Sequence, residues 1–319
     1  MVIMEAREFV PVRVGTLRGD SKITFDVYVR VASKYICYCR KGDSFEGSRL
    51  QKFKEKKIKQ LFIETNHENA YREYMTRNIE QAYDKNSGKS IENRSEIIQG
   101  SQQSNAEEVM ENPEDRVAYD LAKIGSEKYV NFIMEEKEAV KAIMAIQNTD
   151  NNIAHHGVTV STIGLAMAQK QGLEKEYPLE QFTMGCLLHD IEHTHSGIDV
   201  GRPITEFSND ELKKYRQHPS DGIARIEKYK HFDAGVLDII LNHEETIDGS
   251  GFPNGKREKD LSPLAQIAAT ANAYDRFVTF EGYKDSKEAL KKLLVDKMGL
   301  YSLKNLQSLQ DVLKSCGIV

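Results

Sequence analysis

The period at which apolar residues recur changes once along this chain, and that change limits its fold more than any other feature. Up to about residue 63 the period is two. Residues 9–14 read Phe-Val-Pro-Val-Arg-Val, residues 23–31 are apolar at every odd position, and residues 35–39 read Tyr-Ile-Cys-Tyr-Cys. Such alternation sets one face of a strand against a core and the other toward solvent. Turn-forming runs at residues 18–21 and 41–43 separate the strands, a basic helix is expected over residues 48–57, and residues 60–63 read as a closing strand. From Ala106 onward helical spacing takes over, as in residues 139–146, 158–170 and 290–294. The expected fold is an α+β N-terminal module followed by an all-α helical bundle.

A chain of 319 residues is long enough for two domains. We expect a small α+β regulatory or sensory module in residues 1–66, a helix and polar linker in residues 67–105, and a helical domain in residues 106–319. Asn66 reads as the N-cap of a helix over residues 67–83. Residues 84–90 and 99–105 are polar and poor in core formers, which reads as linker or loop.

With 39% hydrophobic and 29% charged residues the composition is that of a globular protein, and a net charge of -5 gives no general attraction to nucleic acid or anionic membrane. DNA is not an expected partner. The basic run over residues 52–59 reads as the solvated face of a helix. The first residues lack the pattern of a signal peptide and no segment approaches a membrane span, so the expected location is the cytoplasm. Cys37, Cys39, Cys186 and Cys316 are too few and too scattered for a disulfide framework or a four-cysteine zinc site.

The chemistry is concentrated in the helical domain. Histidines and acidic residues recur from His156 to Asn272, the ligand mix that suits iron, manganese or zinc, and helices of a bundle can pool such ligands from facing positions. His189-Asp190 closes a strongly apolar segment, so both groups border the interior. Coordination is one way to offset the cost of burying them; a helix cap by Asp190 and a core hydrogen bond by His189 is the other. His193 lies one helical turn beyond His189, while Glu192 and His195 read as solvated. His218 precedes Pro219, where a helix would start or break. His155 and His156 point about 100° apart on a helix, so at most one is a ligand. His67 and His231 lack supporting context. Asp248-Gly-Ser-Gly-Phe-Pro253 is a loop by composition, with His243-Glu244-Glu245 just upstream.

In order and spacing these motifs resemble the HD-GYP family, bacterial phosphodiesterases that hydrolyse cyclic di-GMP. The resemblance spans about residues 110–290 and rests on His156 with Val160 four positions on, His189-Asp190, His218-Pro219, and His243-Glu244-Glu245 leading into Asp248 to Pro253. It implies an HD-type helical bundle with two divalent metal ions, iron or manganese, bridged by Asp190. His156 and His189 would face one metal and His218 and His243 the other, with Glu244 and Asn272 completing the set. Asp190 and His193 would be the catalytic pair. Asp248, Gly249, Ser250, Gly251, Phe252, Pro253, Asp275 and Lys284 would form the substrate and loop group. The implied partners are cyclic di-GMP and a diguanylate cyclase or other signalling protein, and a homodimer is compatible.

The departures from the family pattern also carry information. A glutamate that holds a third metal in some members falls on Asn152, a histidine on Glu244, the closing aspartate on Asn272, a lysine on His193, and the signature tyrosine on Phe252. Glu281 stands where the family often has arginine, while Tyr283 fits. Two readings follow: a working phosphodiesterase, or a degenerate module that binds nucleotide or recruits a partner without turnover.

Overall fold

The computed structural model describes residues 8–319 apart from Asp20, Gly47, Lys57, Lys59, Thr149, Asp150, Lys284 and the side chain of Lys54. The readings made on residues 1–7, on Lys284 and on part of the basic run therefore lie outside the described residues. Two compact units divide between Ser104 and Asn105.

The first unit contains β1 (Phe9–Arg13), β2 (Val27–Val31), β3 (Lys34–Cys39), α1 (Arg49–Glu55), β4 (Gln60–Glu64) and α2 (Glu68–Tyr83), and α3 (Ile91–Glu111) begins in it. The strands form one antiparallel sheet in the order β1-β4-β2-β3. β1 and β4 pair from Phe9 opposite Glu64 to Arg13 opposite Gln60, and β2 meets β4 through Tyr28 and Phe62. Alternation along β4 buries Leu61 and Ile63 in a core with Val12, Val27, Phe25, Phe45, Phe53 and Tyr74.

Three expectations change here. The strand expected over residues 23–31 is reduced to β2, because Ile23 exchanges backbone hydrogen bonds with the turn at Gly42 and Asp43 instead of a strand. Ile23 and Phe25 still reach the core, so their alternation reports burial and not a ladder. Asn66 lies within a short 3-10 turn, Thr65–His67, and α2 starts behind it with His67 in the capping position. Residues 99–105, read as linker or loop, lie within α3, where Gln99 and Gln102 are buried. Glutamine is a good helix former, and Gln99 Nε2 donates to Gln103 Oε1 at 3.1 Å, one turn on, so polarity here does not mean an irregular backbone.

The second unit is helical: the end of α3, then α4 (Arg116–Glu135), α5 (Ala139–Met144), α6 (Ile153–Lys170), α7 (Leu179–Leu188), α8 (Asn209–Ile226), α9 (Ala234–Asn242), α10 (Pro263–Thr279), α11 (Ser286–Asp296) and α12 (Leu303–Ser315). α6 is its axis, buried almost without interruption from Ala154 to Ala168 and packed on α7 and α10, while α7 packs on α9. Asn152 caps α6, its Oδ1 accepting from the amides of Ala154 and His155. Gly157 lets α6 approach α7 closely: a Cβ there would stand 2.9 Å from the carbonyl oxygens of Cys186 and Leu187. No helix among the described residues is long and apolar enough to cross a membrane.

Candidate metal centre

α6, α7, α8, α9 and α10 bring the ends or middles of their chains to one point. His156 lies in the first turn of α6, His189 caps the C-terminus of α7 with Asp190 next to it, His218 sits inside α8, His243 caps α9, and Asn272 sits on α10. His156, His189, Asp190, His218, His243 and Asn272 are all buried.

Asp190 is the hub. Its Oδ1 lies 3.3 Å from His218 Nε2, 3.6 Å from His193 Nε2 and 3.7 Å from His243 Nε2, and its Oδ2 lies 3.4 Å from His189 Nε2. Three sets of ligand atoms close enough to hold an ion result: His156 with His189 and Asp190, Asp190 with His193 and His218, and His218 with His243 and Glu244. His193 thereby joins the ligand cluster itself. It does so from a 3-10 turn, Ile191–Thr194, because α7 has already ended before it.

The far side of each ring explains the orientation. His189 Nδ1 lies 2.6 Å from the Cys186 carbonyl and His243 Nδ1 2.8 Å from that of Ile240, both in the last turn of a helix where carbonyls lack their usual partners. His218 Nδ1 lies 2.6 Å from the Tyr215 carbonyl, which is free for a different reason: Pro219, four residues on, has no N–H to give it. His218-Pro219 thus sits inside α8 rather than at a helix end, and the proline supplies the acceptor that fixes the ligand. In all three rings Nδ1–H donates to the carbonyl, which turns Nε2 toward Asp190. His156 follows the same logic with a carboxylate, its Nδ1 lying 2.6 Å from Asp275 Oδ2.

Without a cation part of this arrangement is unsatisfied: the buried Nε2 atoms of His189 and His193 have no hydrogen-bond partner, His218 Nε2 and His243 Nε2 are pressed to 2.8 Å, and His156 Nε2 meets Asn272 Oδ1 at 2.9 Å. Nitrogen and carboxylate donors in this number suit divalent iron or manganese, so the residues fit the group. Burial alone would raise the Asp190 carboxyl, but His189, His193 and His218 outweigh it and hold it well below the usual range. Burial lowers His189 and His243, and it lowers His193 to about 3, so these rings are neutral and ready to ligate. Burial also acts downward on His156, yet Asp275 outweighs it and the ring is raised. A ring lowered to about 3 does not carry the fixed charge of the lysine that His193 replaces.

The other sequence candidates divide. Glu244 Oε1 accepts from the Tyr215 hydroxyl at 2.6 Å and from Asn272 Nδ2 at 3.3 Å, so both substituted ligand positions lie at the cluster. Phe252 places its ring 6.2 Å from that of His218. Asp248 and Ser250 are exposed, and Asp248 Oδ1 accepts from the Thr246 hydroxyl and from the amide and hydroxyl of Ser250, which tightens the loop. Gly249 adopts φ +85°, and a Cβ on Gly251 would meet backbone atoms at 2.4–2.6 Å. Asp275, grouped with the loop in the sequence reading, instead holds His156. Glu192, read as solvated, is buried and receives two hydrogen bonds from Arg225, at 2.8 and 2.9 Å. Asn152 donates to Glu107 Oε1 at 2.8 Å.

Sequence reasoning quoted Glu245 within a motif without giving it a role, and it missed Tyr215 and Arg276. Glu245 accepts from the amides of Asn254 and Lys256 and so holds the far end of the loop, and its place beside a glycine-rich turn was the available signal. Tyr215 and Arg276 gave none, because each meets the site only through folding.

The HD domain family matches residues 140–299. A solved structure, Bd1817, described as a HDG"Y"P protein from Bdellovibrio bacteriovorus, superposes with a TM-score of 0.90 and 49% sequence identity over 96% of this chain and 100% of that one. The chain belongs to the HD-GYP family. Two curated relatives of this HD-GYP protein are the cyclic di-GMP phosphodiesterase PA4108 of Pseudomonas aeruginosa, 26% identical over 165 residues, and the cyclic di-GMP phosphodiesterase of Thermotoga maritima, 23% identical over 162 residues. Each match covers 50% of this chain but only 39% and 43% of the respective relative. The fold class expected from sequence, a small α+β module and an HD-type bundle, is the one observed.

Proposed function

We propose that this HD-GYP chain is a metal-dependent phosphodiesterase that opens cyclic di-GMP to a linear dinucleotide. The observation that carries this reading is the ring of buried imidazole Nε2 atoms around Asp190, two of them without a hydrogen-bond partner, a donor set that a cation would satisfy. In this reading Asp190 would be shared by two sites, His156 and His189 would hold one ion, His218 and His243 the other, and Glu244, Asn272 and His193 would complete the shell. When bound, divalent ions supply acidity to a coordinated water and positive charge for phosphoryl oxygens. The chain's own contribution is orientation: Asp275 and the carbonyls of Cys186, Tyr215 and Ile240 fix the rings, and Tyr215 and Asn272 fix Glu244. The curated relatives are named cyclic di-GMP phosphodiesterases, which supports this choice of substrate.

A second reading, binding without turnover, has a specific observation in its favour. Asn272 offers a neutral amide at the closing ligand position and spends its Nδ2 on Glu244. The test is product chromatography of cyclic di-GMP incubated with protein reconstituted anaerobically with iron(II) or manganese(II). Linear product that disappears in Asp190→Ala supports the enzyme, whereas absent product with metal bound and cyclic di-GMP retained supports the binding module.

A further inference from the structure

Asn272 and Arg276 on α10, and Phe280 capping its C-terminus, follow one another at intervals of four and share the face that carries Asn272 to the metal cluster. Arg276 is 8% exposed. Its guanidinium lies over the Tyr215 ring, 4.8 Å from the centroid, and 5.5 Å from that of Phe280. Both rings belong to the centre, since the Tyr215 hydroxyl donates to Glu244 and Phe280 packs on His156 at 5.1 Å. The cation is thus fixed beside the ligands by aromatic faces, which hold it without using its N–H groups.

Nε and Nη2 of Arg276 are buried and make no hydrogen bond. Glu281 Oε1 forms a long ion pair with Nη2 at 3.5 Å and also accepts from the Ile204 amide at 3.1 Å, which leaves both nitrogens without a hydrogen bond. A buried guanidinium that keeps its charge and leaves two donors unused carries a large desolvation cost, and a planar fork matches the oxygens of phosphate better than any neutral acceptor. We propose that Arg276 is an anion-binding residue of this centre, donating Nε–H and Nη2–H to phosphoryl oxygen of the ligand held there. It supplies from α10 a cation that position 281, a glutamate, does not. The assignment rests on the metal-centre reading above and adds to it the group that grips the phosphate.

Calorimetry on manganese-loaded protein tests this with two probes, inorganic phosphate and a phosphorothioate analogue of cyclic di-GMP that resists hydrolysis. Arg276→Gln is expected to weaken phosphate binding about tenfold or more at unchanged metal content, and Arg276→Lys, which keeps the charge without the fork, to lose less. Weakening of both probes assigns the contact to the phosphodiester, and weakening of phosphate alone assigns it to a free phosphate; either supports the proposal. Equal affinities in wild type and Arg276→Gln overturn it, as does a wild type that binds neither probe. If Arg276→Gln does not fold, Glu281→Gln replaces it: removal of the neighbouring carboxylate is expected to tighten phosphate binding, and no change there or in Arg276→Lys overturns the proposal. Phosphate binding that depends on Arg276 in a protein without turnover would refute the enzyme and leave this assignment standing.

Discussion

His218 and His243 face each other Nε2 to Nε2 across 2.8 Å, each with its Nδ1 committed to a carbonyl of its own helix. A cation held by both rings would take the place of this contact and satisfy the partnerless Nε2 atoms of His189 and His193 nearby, so metal should stabilise the folded state as well as enable chemistry. At about 100 times its dissociation constant, a bound ion is worth about 2.7 kcal/mol. Thermal melts with and without a chelator are expected to differ by roughly 5–10 °C at a unit of this size. Identical melts would mean that the centre is closed by hydrogen bonds alone.

Pro219 makes a second prediction possible. Pro219→Ala returns an N–H that competes with His218 for the Tyr215 carbonyl. Helix content should hold or rise while metal affinity falls about tenfold, the usual scale for loss of a group that orients a ligand. Titration with manganese(II) reads the second quantity and circular dichroism the first. Unchanged affinity would show that His218 needs no such anchor.

This relationship also shows what was legible beforehand. Glu244 and Asn272 entered through the resemblance, and the clustering of His156, His189, Asp190, His218 and His243 was readable because histidine and carboxylate are unusual in apolar helices. Their anchors were not, since a carbonyl oxygen has no letter of its own and is available only where a helix ends or a proline interrupts it. Tyr215 and Arg276 were hidden for a related reason: an aromatic or a cation on a helix is ordinary until folding sets it against Glu244. In the first unit, the glutamines of α3 imitated a linker because polarity was read without propensity. Ile23 and Phe25 imitated a strand because alternation reports burial before it reports pairing.

Gly157→Ala probes the approach of α6 to α7. The added methyl would crowd the carbonyls of Cys186 and Leu187, and the Cys186 carbonyl is the one that holds His189. Overpacking of this kind costs about 1–3 kcal/mol. A fall of roughly 2–12 °C in Tm, accompanied by weaker metal binding, is expected. A variant that melts like wild type would show that the helices part without cost.

The N-terminus of α8 should be sensitive to acid. Glu211 closes a capping box with Ser208 and pairs with Arg202, and the Ser208 amide, the Ser208 hydroxyl and Arg202 hold its carboxyl at about 2, below its ordinary 4.5. Because the folded value is depressed, the stabilisation is complete above about pH 4.5 and is lost as pH falls toward 2. Wild type should therefore melt above Glu211→Gln at pH 7, and the gap should narrow at pH 3. A gap that is constant with pH would assign the effect to shape and not to charge.

We propose that Asp190 joins two metal sites held by four helix-anchored histidines. Metal content of protein purified anaerobically, compared with Asp190→Ala, tests this directly. Two equivalents of iron or manganese per chain in the wild type, falling below one in the variant, is the predicted result. A wild type that retains no metal after reconstitution, or a variant that retains both equivalents, would contradict it.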